Sequence, residues 1–401
     1  MQLRETDKFT DTSLAVRTIL PLKKETITAL NVLLYAIRGK TEKYETKQKF
    51  AMAVNDAYAF KVIYGLTGYG PQVLLDIRLQ YIRSELVQDP EYLPKVAELM
   101  EQVLFHPRLD EAGFEEARYQ LINRLRRLQD DADSLAVMDA LRQLPEGESI
   151  SVPLTGELED LEKLTYKDVQ ETLRAYEEAP RLVFAIGKPE PEVMEVLARV
   201  EETPVKLECR AVPAFEPVRQ VIEKDISQSS IVQIYATGIT LVSPDYPVLV
   251  VLNSLLGASP TSLLFTEVRE KHSYCYRISS SIMRYDGALM ISTGTDKENI
   301  QDVLRLIQEQ IDRLRTGDFS DEDLRIARDD LIDGIRLVQD RPFSLLEKEF
   351  STVVLGRRAS EAQSIERIEK VSRQQIMELA GQLQLISEVI VETEEEADVQ
   401  S

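Results

Sequence analysis

The sequence predicts an α+β protein built from two duplicated half-domains, each a mixed or antiparallel sheet with helices on one face. Three observations carry this reading. The hydrophobic period switches repeatedly between about 3.6 and 2, as helices interleaved with strands require. The order of elements restarts after a segment with three prolines and no sustained period, residues 203–220. Residue patterns then recur across that segment, which marks an internal repeat.

The elements follow in order. Residues 13–22 read as a strand, and 25–38 as an apolar helix ending at Gly39. A second helix covers 46–58. A hairpin follows over 61–68 and 72–80, with Gly68, Gly70 and Pro71 in its turn. Helices near 91–105 and 110–130 lead through an irregular helical stretch to a buried strand at 181–187. Beyond the linker come a strand at 229–236, an apolar helix at 246–256 closed by Gly257, and a helix at 260–271. A strand from Tyr274 to Ile282 turns at Tyr285-Asp286-Gly287 into another at 288–293. Thr295 with Glu298 reads as a capping box for a helix closed near Gly317, and Ser320 with Asp323 opens the next.

The repeat is visible in residues. Leu30-Asn31-Val32-Leu33-Leu34 matches Leu252-Asn253-Ser254-Leu255-Leu256 at an offset of 222. Ala117, Arg118, Leu121, Ile122, Arg126, Gln129 and Asp130 recur as Ala327, Arg328, Leu331, Ile332, Arg336, Gln339 and Asp340 at an offset of 210, seven identities in fourteen positions. The domains are therefore read as an N-terminal half, 1–202, a linker, 203–220, a C-terminal half, 221–393, and an acidic tail, 394–401.

Composition narrows the function. Lysine and arginine total 48 against 69 acidic residues, a net charge of −21, which argues against a nucleic-acid partner. No run of 18 uninterrupted apolar residues and no signal-peptide core are present, so a cytoplasmic protein without a membrane partner is expected. Two cysteines, Cys209 and Cys275, do not make a disulfide framework. The two histidines, His106 and His272, belong to no close pair, and His272 with Cys275 is read as a surface corner rather than a metal site. No nucleophile with a base and no phosphate loop can be assembled.

One stretch departs from this plain background. Leu263-Leu-Phe-Thr-Glu-Val-Arg-Glu-Lys-His-Ser-Tyr-Cys-Tyr276 places Arg269 at a helix end and Tyr276 early in a strand, seven residues apart across the corner. This segment resembles the C-terminal half-domain of insulinase/pitrilysin-type peptidases, the inverzincins that include mitochondrial-processing-peptidase-like enzymes. More narrowly, Val-Arg-Glu-Lys-His-Ser-x-x-Tyr is similar to the zinc-less partner subunit that bacteria make beside a zinc-bearing one. The resemblance extends over nearly the whole chain.

What it implies is specific. Counting back from Gly39, the family's His, Glu and His positions hold Leu30, Leu33 and Leu34, and the later glutamate ligand falls at or beside Arg124. The chain then binds no metal and needs no cofactor of its own, and shows no activity alone. Zinc is expected in a partner carrying H-x-x-E-H, the two halves forming half of a clamshell around a chamber which that partner closes. Arg269 and Tyr276 reach a peptide substrate there, Tyr276 polarising the scissile carbonyl and Arg269 holding peptide backbone. The alternative is a scaffold or peptide-binding subunit that adds an extended substrate to a sheet edge without chemistry. A homodimer is the state open to the chain alone.

Overall fold

The computed structural model describes residues 1–58, 60–356 and 359–394. The tail read at 394–401 lies, beyond Glu394, outside these. Ten strands form two five-stranded mixed sheets. The first holds β1 (Gln2–Arg4), β2 (Asp11–Pro21), β3 (Lys61–Tyr69), β4 (Gln72–Ile82) and β5 (Arg181–Ile186) in the order β1-β5-β2-β4-β3. The second holds β6 (Val218–Lys224), β7 (Ser229–Ala236), β8 (Ile278–Met283), β9 (Ala288–Thr295) and β10 (Gln384–Thr393) in the order β6-β10-β7-β9-β8. In each, the first strand lies parallel to the last, and the other pairs are antiparallel. The topology is the same strand for strand, so the duplication is present in the fold.

Most expected elements form within a residue or two. The first helix is Lys24–Ile37, followed by Gly39 at φ 74°. The second is Lys47–Asp56, where the Thr46 hydroxyl accepts the Lys49 N–H. Helices Tyr92–Phe105 and Glu111–Asp130 follow the first hairpin. In the second half Ile300–Thr316 ends on Gly317 in the left-handed region, which glycine reaches without a Cβ penalty. Ser320 and Asp323 cap Asp321–Leu337 reciprocally, each side chain accepting the other's backbone N–H. The Thr295 capping box does not form. Thr295 ends β9, and its hydroxyl donates to Tyr274 O at 2.7 Å.

The chain forms two compact units, and each takes a segment from the other half of the sequence. Among the described residues one comprises 1–125, 154–207 and 338–356; the other comprises 126–153, 208–337 and 359–394. Helices of the same half cover one face of each sheet. A single helix from the opposite half covers the other face, Pro342–Leu355 on β2 and β5 and Ala132–Arg142 on β7 and β10. Both faces are therefore dry at the centre, and all eight residues of β7 are buried. Alternation sorts them: Ile231 and Tyr235 pack with helices of their own half, whereas Val232, Ile234 and Ala236 pack against Ala136 and Ala140 of the incoming helix.

The incoming helix of the first unit is held differently. Arg17, only 1% exposed at the centre of β2, pairs with Glu347 at 2.8 Å and with Asp76 at 3.5 Å. Its guanidinium lies 4.2 Å from the centre of the Phe350 ring, and the Tyr69 hydroxyl donates to Glu347 at 2.7 Å. A buried arginine needs such partners, because an uncompensated charge there costs several kcal/mol.

Candidate functional site

The corner carrying Arg269 and Tyr276 is shaped by two π-helical segments. Helix Tyr246–Asn253 runs on as a π turn, Ser254–Ala258, in which Ser259 N–H reaches Ser254 O, five residues back. Gly257 is required here. A Cβ on it would fall 2.7 Å from the backbone nitrogen of Ser280 on β8. The Ser280 hydroxyl closes the contact by donating to Asn253 Oδ1 at 2.7 Å. Phe265–Lys271 is π-helical as well, with His272 N–H donating to Glu267 O. The sequence pattern predicts an ordinary helix over this stretch. Wider turns of this kind recur at functional positions, where they rotate a side chain out of helical register.

The segment ends at Ser273, in the left-handed region with φ 57°, while Tyr274 N–H donates back to Val268 O. The strand expected from Tyr274 begins only at Ile278. The reason is local. Left-handed Ser273 turns the chain off the sheet path, and the carbonyls of Tyr274 and Arg277 accept from Thr295 and Thr293 hydroxyls, at 2.7 and 3.0 Å, instead of joining the ladder. Tyr276 thus stands off the sheet, 83% exposed.

The structure brings Arg269 and Tyr276 together. The guanidinium carbon of Arg269 lies 4.5 Å from the centre of the Phe265 ring and 5.6 Å from that of Tyr276. Contacts of this kind hold an arginine in place without using its N–H donors. The neighbouring carboxylate is engaged elsewhere. Glu267 accepts from Lys271 at 2.7 Å, a bond that holds its carboxyl below the usual range, and His272 lies 3.6 Å away. No carboxylate pairs with Arg269 among the described residues, and its guanidinium lies beside the Tyr276 ring. Burial pushes the Cys275 thiol up, against the opposing influence of the Thr293 hydroxyl and Arg269.

In the first unit the positions where the family resemblance places metal ligands are apolar or cationic. Leu30, Leu33 and Leu34 are 4%, 0% and 8% exposed in the first helix. Arg124 Nη1 donates to Tyr35 Oη at 2.9 Å. These side chains do not fit zinc: alkyl groups offer no lone pair, and a guanidinium offers none and repels the ion. His106 lies between Glu42 and Glu101, at 3.2 and 3.7 Å. Among the described residues no group of three or more His, Cys, Asp or Glu could hold a metal. A cavity of about 300 Å³ opens beside this helix, against β3. Sequence reasoning missed it, although Arg124 carries a signal: no acidic residue lies three or four positions away on its helix.

Comparison with known proteins places this geometry in context. A family model described as "Peptidase M16 inactive domain" matches residues 163–331, the region containing both Arg269 and Tyr276. "Probable inactive metalloprotease YmfF" of Bacillus subtilis (strain 168) is 23% identical over 394 residues, covering 95% of this chain and 92% of its own. The "Mitochondrial-processing peptidase subunit beta" of Saccharomyces cerevisiae is 21% identical over 322 residues, 74% of this chain and 69% of its own. Among solved structures, a conserved protein from Enterococcus faecalis V583 superposes with a TM-score of 0.89 at 23% identity, covering 99% of this chain and 96% of that one. A peptidase M16 inactive domain from Pseudomonas fluorescens gives 0.79 at 13% identity, over 98% and 95%. No helix among the described residues is long and apolar enough to cross a membrane.

Proposed function

The chain is an inactive, metalloprotease-like member of the insulinase-type M16 family, and from that premise we propose that it is the zinc-less subunit of a heterodimeric, cytoplasmic peptide-processing enzyme. Its partner carries the H-x-x-E-H zinc site. This chain supplies Arg269 and Tyr276 to it. The observation that carries the reading is the pair itself: an exposed phenol ring whose centre lies 5.6 Å from a guanidinium that pairs with no carboxylate among the described residues, on a π-helical corner.

The chemistry fits the residues. Peptide hydrolysis builds negative charge on the scissile carbonyl oxygen, and an O–H or N–H aimed at it stabilises that charge. The Tyr276 hydroxyl is the donor suited to the oxyanion, and the Arg269 guanidinium, with several N–H groups in one plane, suits a neighbouring peptide carbonyl. Neither group needs to share a chain with the metal. That a relative is named as one subunit of a processing peptidase supports an assembly of more than one chain. The division 1–202, 203–220 and 221–393 remains our reading of how the duplication parts the sequence.

The test combines the chain with an H-x-x-E-H subunit and measures peptide turnover. Arg269→Ala and Tyr276→Phe are each expected to lower turnover about tenfold or more while the complex still forms. Unchanged turnover in an intact complex would transfer the assignment to a scaffold that binds peptide without assisting the chemistry.

A further inference from the structure

The first unit holds a second constellation that the Arg269 and Tyr276 pair does not use. The cavity of about 300 Å³ is lined by Arg38, Arg124, Tyr35, Tyr64, Asn31 and Thr155 among its polar residues, and by no acidic side chain. Elsewhere in this acidic chain, of net charge −21, several arginines pair with carboxylates, as Arg78 does with Asp76 and Arg199 with Glu101. Neither Arg38 nor Arg124 is paired with one among the described residues. Two cations facing one cavity repel each other unless an anion lies between them.

We propose that this cavity binds a carboxylate carried by an extended peptide, either its C-terminal carboxylate or an aspartate or glutamate side chain. The wall is built in advance. Arg124 is fixed by its 2.9 Å bond to Tyr35 Oη, which leaves the phenol's own O–H available to donate. Asn31 donates to Ile27 O at 2.9 Å and to Leu154 O at 2.8 Å, tying the loop at Leu154 to the first helix. Guanidinium groups bind carboxylates through paired N–H donors. The volume lies at the lower end of ligand cavities and takes one amino-acid residue rather than a nucleotide.

The peptide part of the assignment rests on β3. It is the end strand of its sheet and lines the cavity with Tyr64, Gly65 and Leu66, so its outward N–H and C=O groups have no strand partner. A Cβ on Gly65 would meet nothing within 4 Å, so the face of the strand is open at the cavity. A chain lying along this edge brings its carboxylate to the arginines.

Binding to the full-length protein alone tests this, with no activity needed. The probes are an acetylated Ala-Ala-Ala-Leu peptide with a free C-terminus, its C-terminal amide, that amide with glutamate replacing one alanine, and inorganic phosphate. The free acid, the glutamate amide or both are expected to bind about tenfold or more tighter than the plain amide, and which one does so identifies the source of the carboxylate. Arg38→Gln, at an exposed position, should abolish that preference with unchanged thermal unfolding. Arg124→Gln should do the same, and Arg269→Ala should not alter it. Equal binding of acid and amides, full preference retained in Arg38→Gln, or binding of phosphate alone would each overturn the proposal.

Discussion

The two helices that cross to the opposite unit occupy matching places against matching sheets, yet they are secured by opposite means. Pro342–Leu355 meets β2 through charge and aromatic rings, with Glu347 and Phe350 closing on Arg17. Ala132–Arg142 meets β7 and β10 through Ala136 and Ala140, both 0% exposed, so that backbones approach closely. At its edges Ser230 donates to Asp133 at 2.6 Å and Ser387 to Gln143 at 2.9 Å. The lesson is that a duplicated topology constrains where a helix must lie but leaves open what fastens it. The first fastening is strong only while every partner is present; the second tolerates loss of a hydrogen bond but not added volume.

The sharpest way to break the contrast is Glu347→Ala. It removes the closest partner of buried Arg17 and leaves only Asp76, so a loss of about 3 kcal/mol in chemical denaturation is expected. Glu347→Gln should recover part of this by keeping the hydrogen bond from Tyr69. A loss below about 1 kcal/mol would mean the charge contributes little to holding the helix. Next in size is Ala136→Leu, which forces a larger side chain between helix and sheet and should cost about 2 kcal/mol. The same change at exposed Ala51 would serve as the control.

The smallest effect concerns pH. In the second unit the incoming segment also touches the β8–β9 turn, where Ser149 Oγ donates to Asp286 Oδ1 at 2.6 Å. Burial raises the Asp286 carboxyl above 3.8, only partly opposed by that hydrogen bond. The sign follows: the charged form is held at a cost in stability above the folded value, and the cost is relieved as pH falls toward the unfolded one. Asp286→Asn should therefore match or exceed the parent by up to about 1 kcal/mol at neutral pH, with the difference vanishing in acid. A variant that is less stable at pH 7 would show that the turn needs the charge.

Much of this architecture was legible in the residues, and the failures have physical causes. Helix ends were readable where glycine or a hydroxyl cap stood, as at Gly39, Gly317 and Ser320. The Arg269 and Tyr276 corner was found by its motif, but not its shape. A π turn carries no periodic signature distinct from an α-helix over so few residues, and the left-handed Ser273 carries no glycine to announce it. Tyr58, with φ 53°, marks the corresponding corner before β3, again without glycine. Nor could hydrophobic period reveal that helices 342–355 and 132–142 trade places, because an apolar face does not state which sheet it will meet.

That trade has a consequence for how the protein comes off the ribosome. The first sheet has all its strands once Ile186 has emerged, but the helix that covers one of its faces, with the partner of Arg17, follows about 160 residues later. At ordinary synthesis rates that is on the order of ten to thirty seconds during which Arg17 has Asp76 but not Glu347 and one face of β2 remains wet. The N-terminal half alone is thus an exposed intermediate rather than a finished domain, and arrival of helix Pro342–Leu355 is what seals it.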